Sequence, residues 1–491
     1  MLFEPLFAHA AKNPEGTAVI DDLGRYSYSR LAASAAGLGM YISFQTQQPH
    51  VGLLLPAGAG FVASFYGTLL ARKAVVPINF LLSDREIAHV IADSGIDTVI
   101  TAPPLAARVK DSKLNIIDLS ELAKMQPPPL TATPPLPSPA PDDLAVLMYT
   151  SGTSGLPKGV QLTYNNLQSD VDAAIQFAQL ESDHRFLGII PLFHAFGMTA
   201  MMLAPIQLGA PVVYIARFSP VAAMNAIREH QISLMFGVPS MFAAIAHLKN
   251  ASADDFKSIY AIITGGEPQP AALREKFQQR FNVPLLEGYG LTETSPVIAL
   301  NVPQIMRSGS VGKPIPGAIF KIVDDNGNAL QREEIGEIWV KGPMIMKGYY
   351  NLPDATAAAL TADGYFRTGD LGKFDADGFL FITGRKKDMI IVAGEKVFPR
   401  EVEDVLMRHP TVAEAAVLGK KDASRGEVVV AFVTAREGET IQSDVLRDYC
   451  RSQGLPQWKC PREITTVLEL PHSPTGKVLK RVLAEQLTAA G

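Results

Sequence analysis

Short apolar runs alternate with amphipathic stretches through most of the chain. Residues 51–55 have the continuous apolar character of a buried strand, and the pattern of residues 58–70 predicts a helix after it. Ser83-Asp84-Arg85-Glu86 has the Ser-x-x-Glu spacing of a capping box, which predicts the start of a helix that runs toward Asp93. Further patterns predict strands at 98–101, 114–118, 144–149, 212–215, 233–236 and 260–264, and helices at 219–230 and 270–281. This alternation predicts α/β units with largely parallel sheets.

The pattern changes past Gly384. Residues 399–408, 411–418, 427–434 and 443–451 predict helix, strand, strand and helix. These elements are enough for a small α+β domain of roughly a hundred residues. With 491 residues, the chain exceeds the usual size of one hydrophobic core, so at least two domains are expected. The proline- and threonine-rich stretch 127–141 predicts an extended surface connector within the α/β region rather than a domain boundary.

Composition and charge exclude several classes of protein. The chain has 47% hydrophobic and 19% charged residues, and its net charge of -5 gives no reason to expect a nucleic-acid partner. Cys450 and Cys460 are the only cysteines and lack metal-ligand spacing, so a disulfide framework is not expected and a cytoplasmic location is predicted. The N-terminus lacks the basic region and apolar core of a signal peptide.

Residues 186–215 contain no Asp, Glu, Lys or Arg and could be mistaken for a membrane span. Pro191, Pro205 and Pro211 interrupt the stretch, whereas a spanning helix needs about 20 predominantly apolar residues in one run. We therefore predict buried strands and a core helix here, and no integral membrane segment. The sequence also predicts no basic amphipathic helix of the kind that binds a membrane surface.

Residues 149–160 (Tyr-Thr-Ser-Gly-Thr-Ser-Gly-Leu-Pro-Lys-Gly-Val) follow a predicted strand. Two glycines let the backbone curl so that its N–H groups form a nest for anionic oxygens, and hydroxyls and a lysine add further donors. The lysine is followed by Gly159 rather than Ser or Thr, so this is not a Walker A loop. The pattern predicts a phosphate-binding loop made of Thr150, Ser151, Gly152, Thr153, Ser154, Gly155 and Lys158.

This loop resembles the phosphate-binding motif of the adenylate-forming superfamily, which comprises acyl-CoA synthetases, firefly-type luciferases and adenylation domains of peptide synthetases. Further motifs of that family follow in the expected order, at residues 264–268, 288–294, 365–370, 384–388 and 474–477. Because six motifs occur in order, the chain is identified as a member of this superfamily, and it resembles the acyl-CoA synthetase (fatty acid–CoA ligase) branch. The resemblance implies a large N-terminal domain (1–386) with parallel-rich α/β subdomains and a β-rich subdomain, and a small mobile α+β C-terminal domain (387–491).

The resemblance assigns the phosphate and metal contacts of the nucleotide. Thr292 matches the residue that contacts the α-phosphate, and Glu293 matches a residue that helps to hold Mg²⁺, with Thr153 as the second metal residue. The chemistry agrees, because Mg²⁺ prefers a few carboxylate or hydroxyl oxygens together with substrate phosphates.

The resemblance also assigns the nucleoside. Small residues at the end of a strand let a flat ring lie against the backbone. The family places adenine at three residues after the strand at 260–264, which are Gly265, Gly266 and Glu267. Tyr289 matches the residue that stacks on adenine. Asp370 matches the aspartate that accepts hydrogen bonds from both ribose hydroxyls, and Arg385 matches an arginine that also contacts the ribose.

Two residues are assigned to the acid that is activated. Lys477 matches the family lysine that bridges the substrate carboxylate and the α-phosphate, where a cation offsets the repulsion of two anions. His194 lies in the aromatic-His pair that borders the acyl pocket in this family. Peptide-synthetase domains typically have an aspartate there to hold an amino group, so His194 argues against an amino-acid substrate.

The residues around this pair predict the class of acid. The pocket would be lined by Phe193, Ala195, Met198 and residues 236–241, most of which are apolar. We therefore expect a fatty or aromatic acid rather than a charged one. A medium- or long-chain fatty acid is the favoured substrate, and the chain length remains open.

The resemblance implies two half-reactions that share one site. The carboxylate attacks the α-phosphorus of ATP and releases pyrophosphate, and the thiol of coenzyme A (CoA) then displaces AMP. Rotation of the C-terminal domain about Lys387 would withdraw Lys477 and bring the loop 391–394 to the site. Gly394 matches the family glycine beside the tunnel for the pantetheine arm of CoA, although a glycine that merely serves a turn is an alternative.

Several alternatives remain open at this stage. The enzyme could load a carrier protein instead of CoA, could be an aryl-CoA ligase, or could have a luciferase-like side activity. A non-catalytic nucleotide-binding protein with this fold would be expected to have lost Glu293, Asp370 or Lys477, and all three are present. An ordinary P-loop ATPase or kinase is excluded because neither motif set occurs. The oligomeric state cannot be read from the sequence, and a homodimer is compatible with it.

Overall fold

The computed structural model describes residues 1–110, 113–123, 133–150, 156–472 and 478–489. Its helices in chain order are α1 Glu4–Lys12, α2 Tyr28–Gln45, α3 Ala59–Leu70, α4 Asp84–Ser94, α5 Pro103–Ala106, α6 Leu119–Ala123, α7 Tyr164–Ala178, α8 Ala195–Met198, α9 Ala204–Leu208, α10 Pro220–His230, α11 Pro239–Ala246, α12 Ala271–Phe281, α13 Pro353–Ala359, α14 Pro399–Met407, α15 Ser443–Ser452 and α16 Lys480–Ala489. A π-helical turn spans Thr199–Leu203, and 3₁₀ turns span Ala107–Val109, Ala253–Phe256, Thr292–Thr294 and Lys386–Asp388.

The strands in chain order are β1 Thr17–Asp21, β2 Gly24–Ser27, β3 His50–Leu54, β4 Ala74–Pro77, β5 Thr98–Thr101, β6 Asn115–Asp118, β7 Leu144–Thr150, β8 Lys158–Thr163, β9 Phe186–Gly188, β10 Val212–Tyr214, β11 Leu234–Gly237, β12 Ala261–Thr264, β13 Leu285–Gly290, β14 Val297–Leu300, β15 Lys313–Pro314, β16 Ile319–Val323, β17 Gly336–Lys341, β18 Gly348–Tyr349, β19 Phe366–Phe374, β20 Leu380–Arg385, β21 Ile390–Val392, β22 Glu395–Val397, β23 Val412–Asp422, β24 Gly426–Ala435 and β25 Glu463–Thr466.

The chain forms two compact units. The first contains residues 1–266, 277–319 and 340–366, and the second contains residues 267–276, 320–339 and 367–491. Each unit combines segments that are distant in sequence.

The first unit contains a nine-stranded sheet in the order β15-β14-β13-β12-β11-β9-β10-β1-β2. The six strands from β13 to β1 in this order pair in parallel, and β14, β15 and β2 add antiparallel edges. The central strands β9, β11 and β12 are fully buried, which explains their continuous apolar sequences. The carboxyl ends of these parallel strands share one edge, where open α/β sheets bind their ligands.

A seven-stranded sheet in the order β18-β8-β7-β4-β3-β5-β6 is also in the first unit. The strands β7, β4, β3, β5 and β6 pair in parallel. β8 turns back antiparallel to β7, and the two residues of β18 pair antiparallel with β8. The β7–β8 hairpin therefore carries the predicted phosphate loop, although the sequence analysis predicted no strand at β8.

The second unit contains most of a four-stranded sheet, β16-β17-β19-β20, and a five-stranded sheet in which β22, β21, β24 and β23 are antiparallel neighbours. β25 pairs in parallel with β24. Helices α14 and α15 supply apolar side chains to the core of the second sheet, including the fully buried Val402, Leu406 and Leu446. The helix, strand, strand and helix predicted past Gly384 are α14, β23, β24 and α15.

The structure confirms the predicted fold class, with parallel-rich α/β sheets and a C-terminal α+β region. The Ser83 hydroxyl accepts from Glu86 N–H at the start of α4, while the Glu86 carboxylate accepts from Ser83 N–H at 2.8 Å, so the capping box is confirmed. The strand predicted at 98–101 has the same bounds in the structure, and the others agree within one residue at most ends. Part of the connector at 127–141 lies outside the described residues.

The uncharged stretch 186–215 folds as β9, α8, the π-helical turn, α9 and β10. Gly209 ends α9 with φ +76°, and Pro205 lies in its first turn, so the apolar sequence is divided into short elements. In the described part of the chain, no helix has the length and apolar character needed to cross a membrane. The prediction of buried strands and core helix is confirmed.

Candidate active site

The predicted phosphate loop is the connection of a β-hairpin. Thr150 ends β7 opposite Lys158 at the start of β8, and Tyr149 pairs with Gly159. The five loop residues between them that carry the predicted nest, Ser151, Gly152, Thr153, Ser154 and Gly155, lie outside the described residues. The structure therefore brings the first and last predicted residues of the loop, Thr150 and Lys158, to neighbouring strand ends.

Helix α4 contacts both ends of this hairpin. The Tyr149 hydroxyl donates to Asp93 Oδ2 at 2.6 Å, and His89 Nε2 donates to the carbonyl oxygen of Pro157 at 3.0 Å. Residues 89 and 93 lie one turn apart on the same helix face. Burial, together with the hydrogen bond to Asp93, raises the pKa of Tyr149 far above its usual value, so its hydroxyl remains a donor.

Glu293 lies in the 3₁₀ turn that follows β13, and its surroundings were not predicted from the sequence. The Tyr349 hydroxyl donates to Glu293 Oε1 at 2.8 Å, and Met346 N–H donates to the Glu293 carbonyl at 2.9 Å. Lys158 Nζ lies 5.5 Å from the centre of the Tyr349 ring. Tyr349 thus connects two predicted site residues. The one signal in the sequence that could have drawn attention to it is the pair of adjacent tyrosines at 349 and 350.

The predicted adenine segment begins where β12 ends. A Cβ on Gly265 would lie 3.2 Å from the ring of Phe196, and Gly266 has a φ of +81° that favours glycine. In the neighbouring strand β13, which carries Tyr289, a side chain at Gly290 would overlap the carbonyl oxygen of Pro296. Gly266 and Gly290 therefore have local backbone reasons to be glycine, and the absence of a side chain at Gly265 leaves room for the Phe196 ring.

His194 immediately precedes α8, after β9 has ended at the same sheet edge. Its ring lies 4.7 Å from the ring of Phe193, which packs edge-to-face on Phe80 at 4.9 Å. His194 Nε2 is buried and has no hydrogen-bond partner among the described residues. Burial lowers the pKa of His194 to about 4, so the imidazole is neutral near neutral pH. The sequence analysis missed Phe80.

In the second unit, the two predicted ribose residues form an ion pair. Asp370 in β19 and Arg385 in β20 are cross-strand partners, and Arg385 Nε lies 3.1 Å from Asp370 Oδ1. Asp370 is buried while Arg385 is partly exposed. Asp370 N–H also donates to the Thr368 hydroxyl at 3.0 Å, which fixes the end of the Thr-Gly-Asp motif. Residues 15 positions apart in sequence are thereby placed side by side.

Gly394 lies in the two-residue turn between β21 and β22. Ala393 and Gly394 have φ angles of +50° and +89°, as a type I′ hairpin turn requires, so the turn alone explains a glycine here. A Cβ on Gly394 would have no atom within 4 Å. The glycine borders an open cavity of about 630 Å³ whose other lining residues include Ile391, Lys421 and Arg425.

The two units divide the predicted residues between them. The first holds Thr150, Lys158, His194, Gly265, Gly266, Tyr289, Thr292 and Glu293, and the second holds Glu267, Asp370, Arg385 and Gly394. Lys477 lies outside the described residues. The predicted hinge, Lys387, lies in the 3₁₀ turn Lys386–Asp388, whose neighbour Lys386 contacts Glu337 at 3.1 Å.

Comparison with known protein families identifies the family of this chain. The profile of the AMP-binding enzyme family matches residues 6–350, and that of the AMP-binding enzyme C-terminal domain matches residues 401–477. The chain belongs to the AMP-binding enzyme family. This AMP-binding enzyme is 33% identical to a long-chain-fatty-acid–CoA ligase of Bacillus subtilis, with 98% of this chain and 93% of that protein covered. It is 34% identical to a feruloyl-CoA synthase of an Amycolatopsis species, with 96% of each covered.

Solved structures agree with this assignment. The ATP-bound MatB of Rhodopseudomonas palustris matches this AMP-binding enzyme with a TM-score of 0.92 and 27% identity, covering 99% of this chain and 98% of that one. The anthranilate CoA ligase AuaEII in complex with anthranoyl-AMP matches with a TM-score of 0.91 and 27% identity, covering 100% and 98%. The prediction of an AMP-forming acid–thiol ligase is confirmed at the level of enzyme class.

The low pKa of His194 predicts an acid-sensitive contribution to stability. The pKa is about 4 in the folded AMP-binding enzyme and 6.5 for an ordinary histidine, so the unfolded chain takes up a proton first as the pH falls. The stability that comes from keeping His194 neutral is complete above about pH 6.5 and is lost as the pH falls toward about 4. Between about pH 7 and about pH 5, the free energy of unfolding should fall by about 2 kcal/mol more in the wild type than in His194→Leu. Urea unfolding at both pH values measures this difference, and equal losses in the two proteins would contradict it.

Asp370→Ala should raise the KM for ATP by about 10- to 100-fold, since each hydrogen bond to a charged acceptor contributes about 1.5–3 kcal/mol. The change also leaves the Arg385 guanidinium without this carboxylate partner. Steady-state kinetics with ATP and with 2′,3′-dideoxy-ATP check the assignment to the ribose hydroxyls. The wild type should discriminate between the two nucleotides and the variant should not; undiminished discrimination in Asp370→Ala would place the ribose elsewhere.

Proposed function

We propose that this AMP-binding enzyme activates an apolar carboxylic acid with ATP and transfers the acyl group to CoA, giving acyl-CoA, AMP and pyrophosphate. A medium- or long-chain fatty acid is the proposed substrate. The observation that carries this proposal is the buried, neutral His194 beside Phe193 and Phe80. A charged group on the substrate other than the reacting carboxylate would lie beside these aromatic rings and the neutral imidazole. None of them carries an opposite charge to replace the lost hydration, so an uncharged tail is favoured.

In the proposed first half-reaction, the substrate carboxylate attacks the α-phosphorus in line and pyrophosphate leaves. The β7–β8 hairpin, with Thr150 and Lys158 at its strand ends, would bind the leaving phosphates, and Thr292 would contact the α-phosphate. Lys477 would lie between the two reacting anions, where its charge stabilises the transition state more than the separated reactants. Adenine would bind at Gly265, Gly266, Glu267 and Tyr289, and the ribose would bind at Asp370 and Arg385.

The residues around Glu293 fit a magnesium ion that arrives with ATP. Among the residues that the structure describes, no group of three or more His, Cys, Asp or Glu side chains could hold a metal by itself. Glu293 Oε1 accepts a hydrogen bond from Tyr349, and one carboxylate together with phosphates is a usual way of binding Mg²⁺. When bound, the ion would neutralise phosphate charge. Thr153, the other proposed metal residue, lies outside the described residues.

In the proposed second half-reaction, the CoA thiol attacks the acyl carbon and AMP leaves. We infer that the mobile domain begins at residue 387, with residues 1–386 forming the nucleotide- and acyl-binding domain, and that rotation about Lys387 changes the loop presented to the adenylate. Gly394 would then border the pantetheine arm. Its open surroundings support this role, since no neighbouring atom fills the space in front of it.

An aromatic acid is the second candidate substrate. The relatives that share 31–34% identity with this chain include feruloyl-CoA synthase and several 4-coumarate–CoA ligases. Edge-to-face contacts such as that between Phe80 and Phe193 would also suit a planar ring. A carrier protein in place of CoA remains the alternative acceptor.

AMP release with a panel of acids tests the proposed substrate. The panel runs from acetate to stearate and includes benzoate, 4-coumarate and malonate, each with and without CoA. We expect CoA-dependent turnover with an optimum among the medium- and long-chain fatty acids. An optimum at 4-coumarate would favour the aryl-CoA ligase, and a preference for malonate would contradict the proposal of an uncharged tail. Acid-dependent pyrophosphate exchange without CoA-dependent turnover would direct the search to carrier proteins.

We also propose a cytoplasmic location. Cys450 and Cys460 are both buried free thiols, which fits a reducing compartment. Burial raises the pKa of Cys450 to about 12, so this thiol is unreactive near neutral pH. A homodimer remains compatible with the sequence.

A further inference from the structure

The segment 346–350 joins the β7–β8 hairpin to the turn that contains Glu293, a connection that the sequence analysis did not predict. Lys347 N–H donates to Gln161 O at 3.0 Å, and Tyr350 N–H donates to Gly159 O at 2.7 Å, so the segment is an edge strand on β8. Met346 N–H donates to the Glu293 carbonyl at 2.9 Å. One short strand therefore holds the backbone of two elements that the proposed function assigns to the nucleotide phosphates.

The side chain of Tyr349 makes the same connection. Its hydroxyl donates to Glu293 Oε1 at 2.8 Å, and its ring faces Lys158 Nζ at 5.5 Å from the ring centre. Its own backbone N–H donates to the hydroxyl of Thr356 in α13 at 2.9 Å, which holds the residue from its other side.

A carboxylate on a short 3₁₀ turn has rotational freedom that a fixed donor removes. With Oε1 held by the phenol, the remaining lone pairs of Glu293 point in a defined direction. Partners of this kind orient metal-binding carboxylates and change metal affinity by about 10- to 100-fold when they are removed.

We propose that Tyr349 is a positioning residue that fixes the Glu293 carboxylate for the metal ion of the metal–ATP complex. This inference rests on the proposed function, because it takes Glu293 as the metal-binding carboxylate. In this proposal Tyr349 acts only through Glu293, whose Oε1 accepts its hydroxyl hydrogen bond. Its ring also limits where the Lys158 ammonium can lie.

Tyr349→Phe keeps the ring beside Lys158 and removes only the hydroxyl. We expect the free Mg²⁺ concentration that gives half-maximal adenylation to rise about 10-fold, with the KM for the acid unchanged. Mn²⁺ binding in the presence of a non-hydrolysable ATP analogue, followed by electron paramagnetic resonance, should weaken by a similar factor. This second measurement needs no turnover and no knowledge of the acid.

Tyr350→Phe is the matched control, since its ring packs edge-to-face on His50 at 5.4 Å, away from Glu293. Metal dependence should be unchanged in this variant. In a Glu293→Gln background, Tyr349→Phe should add no further weakening of Mn²⁺ binding, because Tyr349 acts through the carboxylate. Thermal unfolding of each variant verifies that it is folded.

The outcomes separate this inference from the proposed function. If wild type and Glu293→Gln bind Mn²⁺–nucleotide equally, the role of Glu293 in the proposed function is wrong. If Glu293→Gln weakens binding while Tyr349→Phe does not, only the positioning role is overturned. The positioning role is also overturned if the effects of Tyr349→Phe and Glu293→Gln are fully additive.

Discussion

Replacing Gly394 by leucine is expected to abolish thioester formation while leaving adenylation largely intact. A leucine side chain at this position would extend into the open space in front of the glycine, where the proposed pantetheine arm passes. A displacement of about 1 Å between reacting groups can cost about 100-fold in rate, and an obstructed path should cost at least as much. Acid-dependent pyrophosphate exchange measures the first half-reaction, and CoA-dependent consumption of preformed acyl-AMP measures the second.

The backbone at Gly394 calls for a matched control. Its φ of +89° makes any side chain costly by about 1–2 kcal/mol, independently of CoA. Gly438 has a φ of +79° and equally open surroundings in the same unit. Gly438→Leu therefore introduces the same strain away from the proposed tunnel and should spare both half-reactions. Equal loss of both half-reactions in Gly394→Leu would refute the tunnel role.

Lys477→Ala is expected to give the opposite pattern. Removing a charge that is positioned for the transition state typically costs about 10²–10³-fold in rate. We therefore expect adenylation to fall by that factor, while CoA still consumes acyl-AMP supplied from outside at nearly the wild-type rate. Single-turnover assays of the two half-reactions measure the split.

Lys480→Ala is the control for the loss of a nearby lysine. Lys480 Nζ is already paired with Glu403 Oε1 at 2.6 Å, so its replacement should affect stability more than either half-reaction. If Lys480→Ala lost adenylation and Lys477→Ala retained it, the assignment of the bridging lysine would be wrong. Loss of both half-reactions in Lys477→Ala would show that the role of Lys477 is not restricted to adenylation.

Much of the fold was predictable because its signals are local. The capping box at Ser83 follows from contacts within a few residues of the chain, and the β-branched strand at 98–101 follows from burial on both faces of a sheet. β8 was missed because its residues form a strand only by pairing with β7 across the phosphate loop. The composition of the two compact units could not be predicted from local patterns, because the second unit joins the segments 267–276 and 320–339 with the C-terminal part of the chain.

The residues of the candidate site were assigned through the resemblance to a known family, because a motif such as Thr-Gly-Asp is common in turns and indicates no function by itself. Asp370 and Arg385 were assigned to one ligand from separate motifs, and cross-strand pairing of β19 and β20 brings them to 3.1 Å. Tyr349 and Phe80 were missed because neither residue type indicates a function by itself. Each gains its position from residues distant in the sequence, Glu293 for Tyr349 and Phe193 for Phe80.

Transfer of a carboxylate oxygen into AMP tests the central claim most directly. The enzyme is supplied with ATP, CoA, Mg²⁺ and the best acid of the panel, with both carboxylate oxygens replaced by ¹⁸O. Attack of the carboxylate on the α-phosphorus followed by attack of the thiol on the acyl carbon leaves one ¹⁸O atom in each AMP. Mass spectrometry should therefore find singly labelled AMP in amounts equal to the acyl-CoA formed. Unlabelled AMP, or label in inorganic phosphate together with ADP, would contradict an acyl-adenylate intermediate.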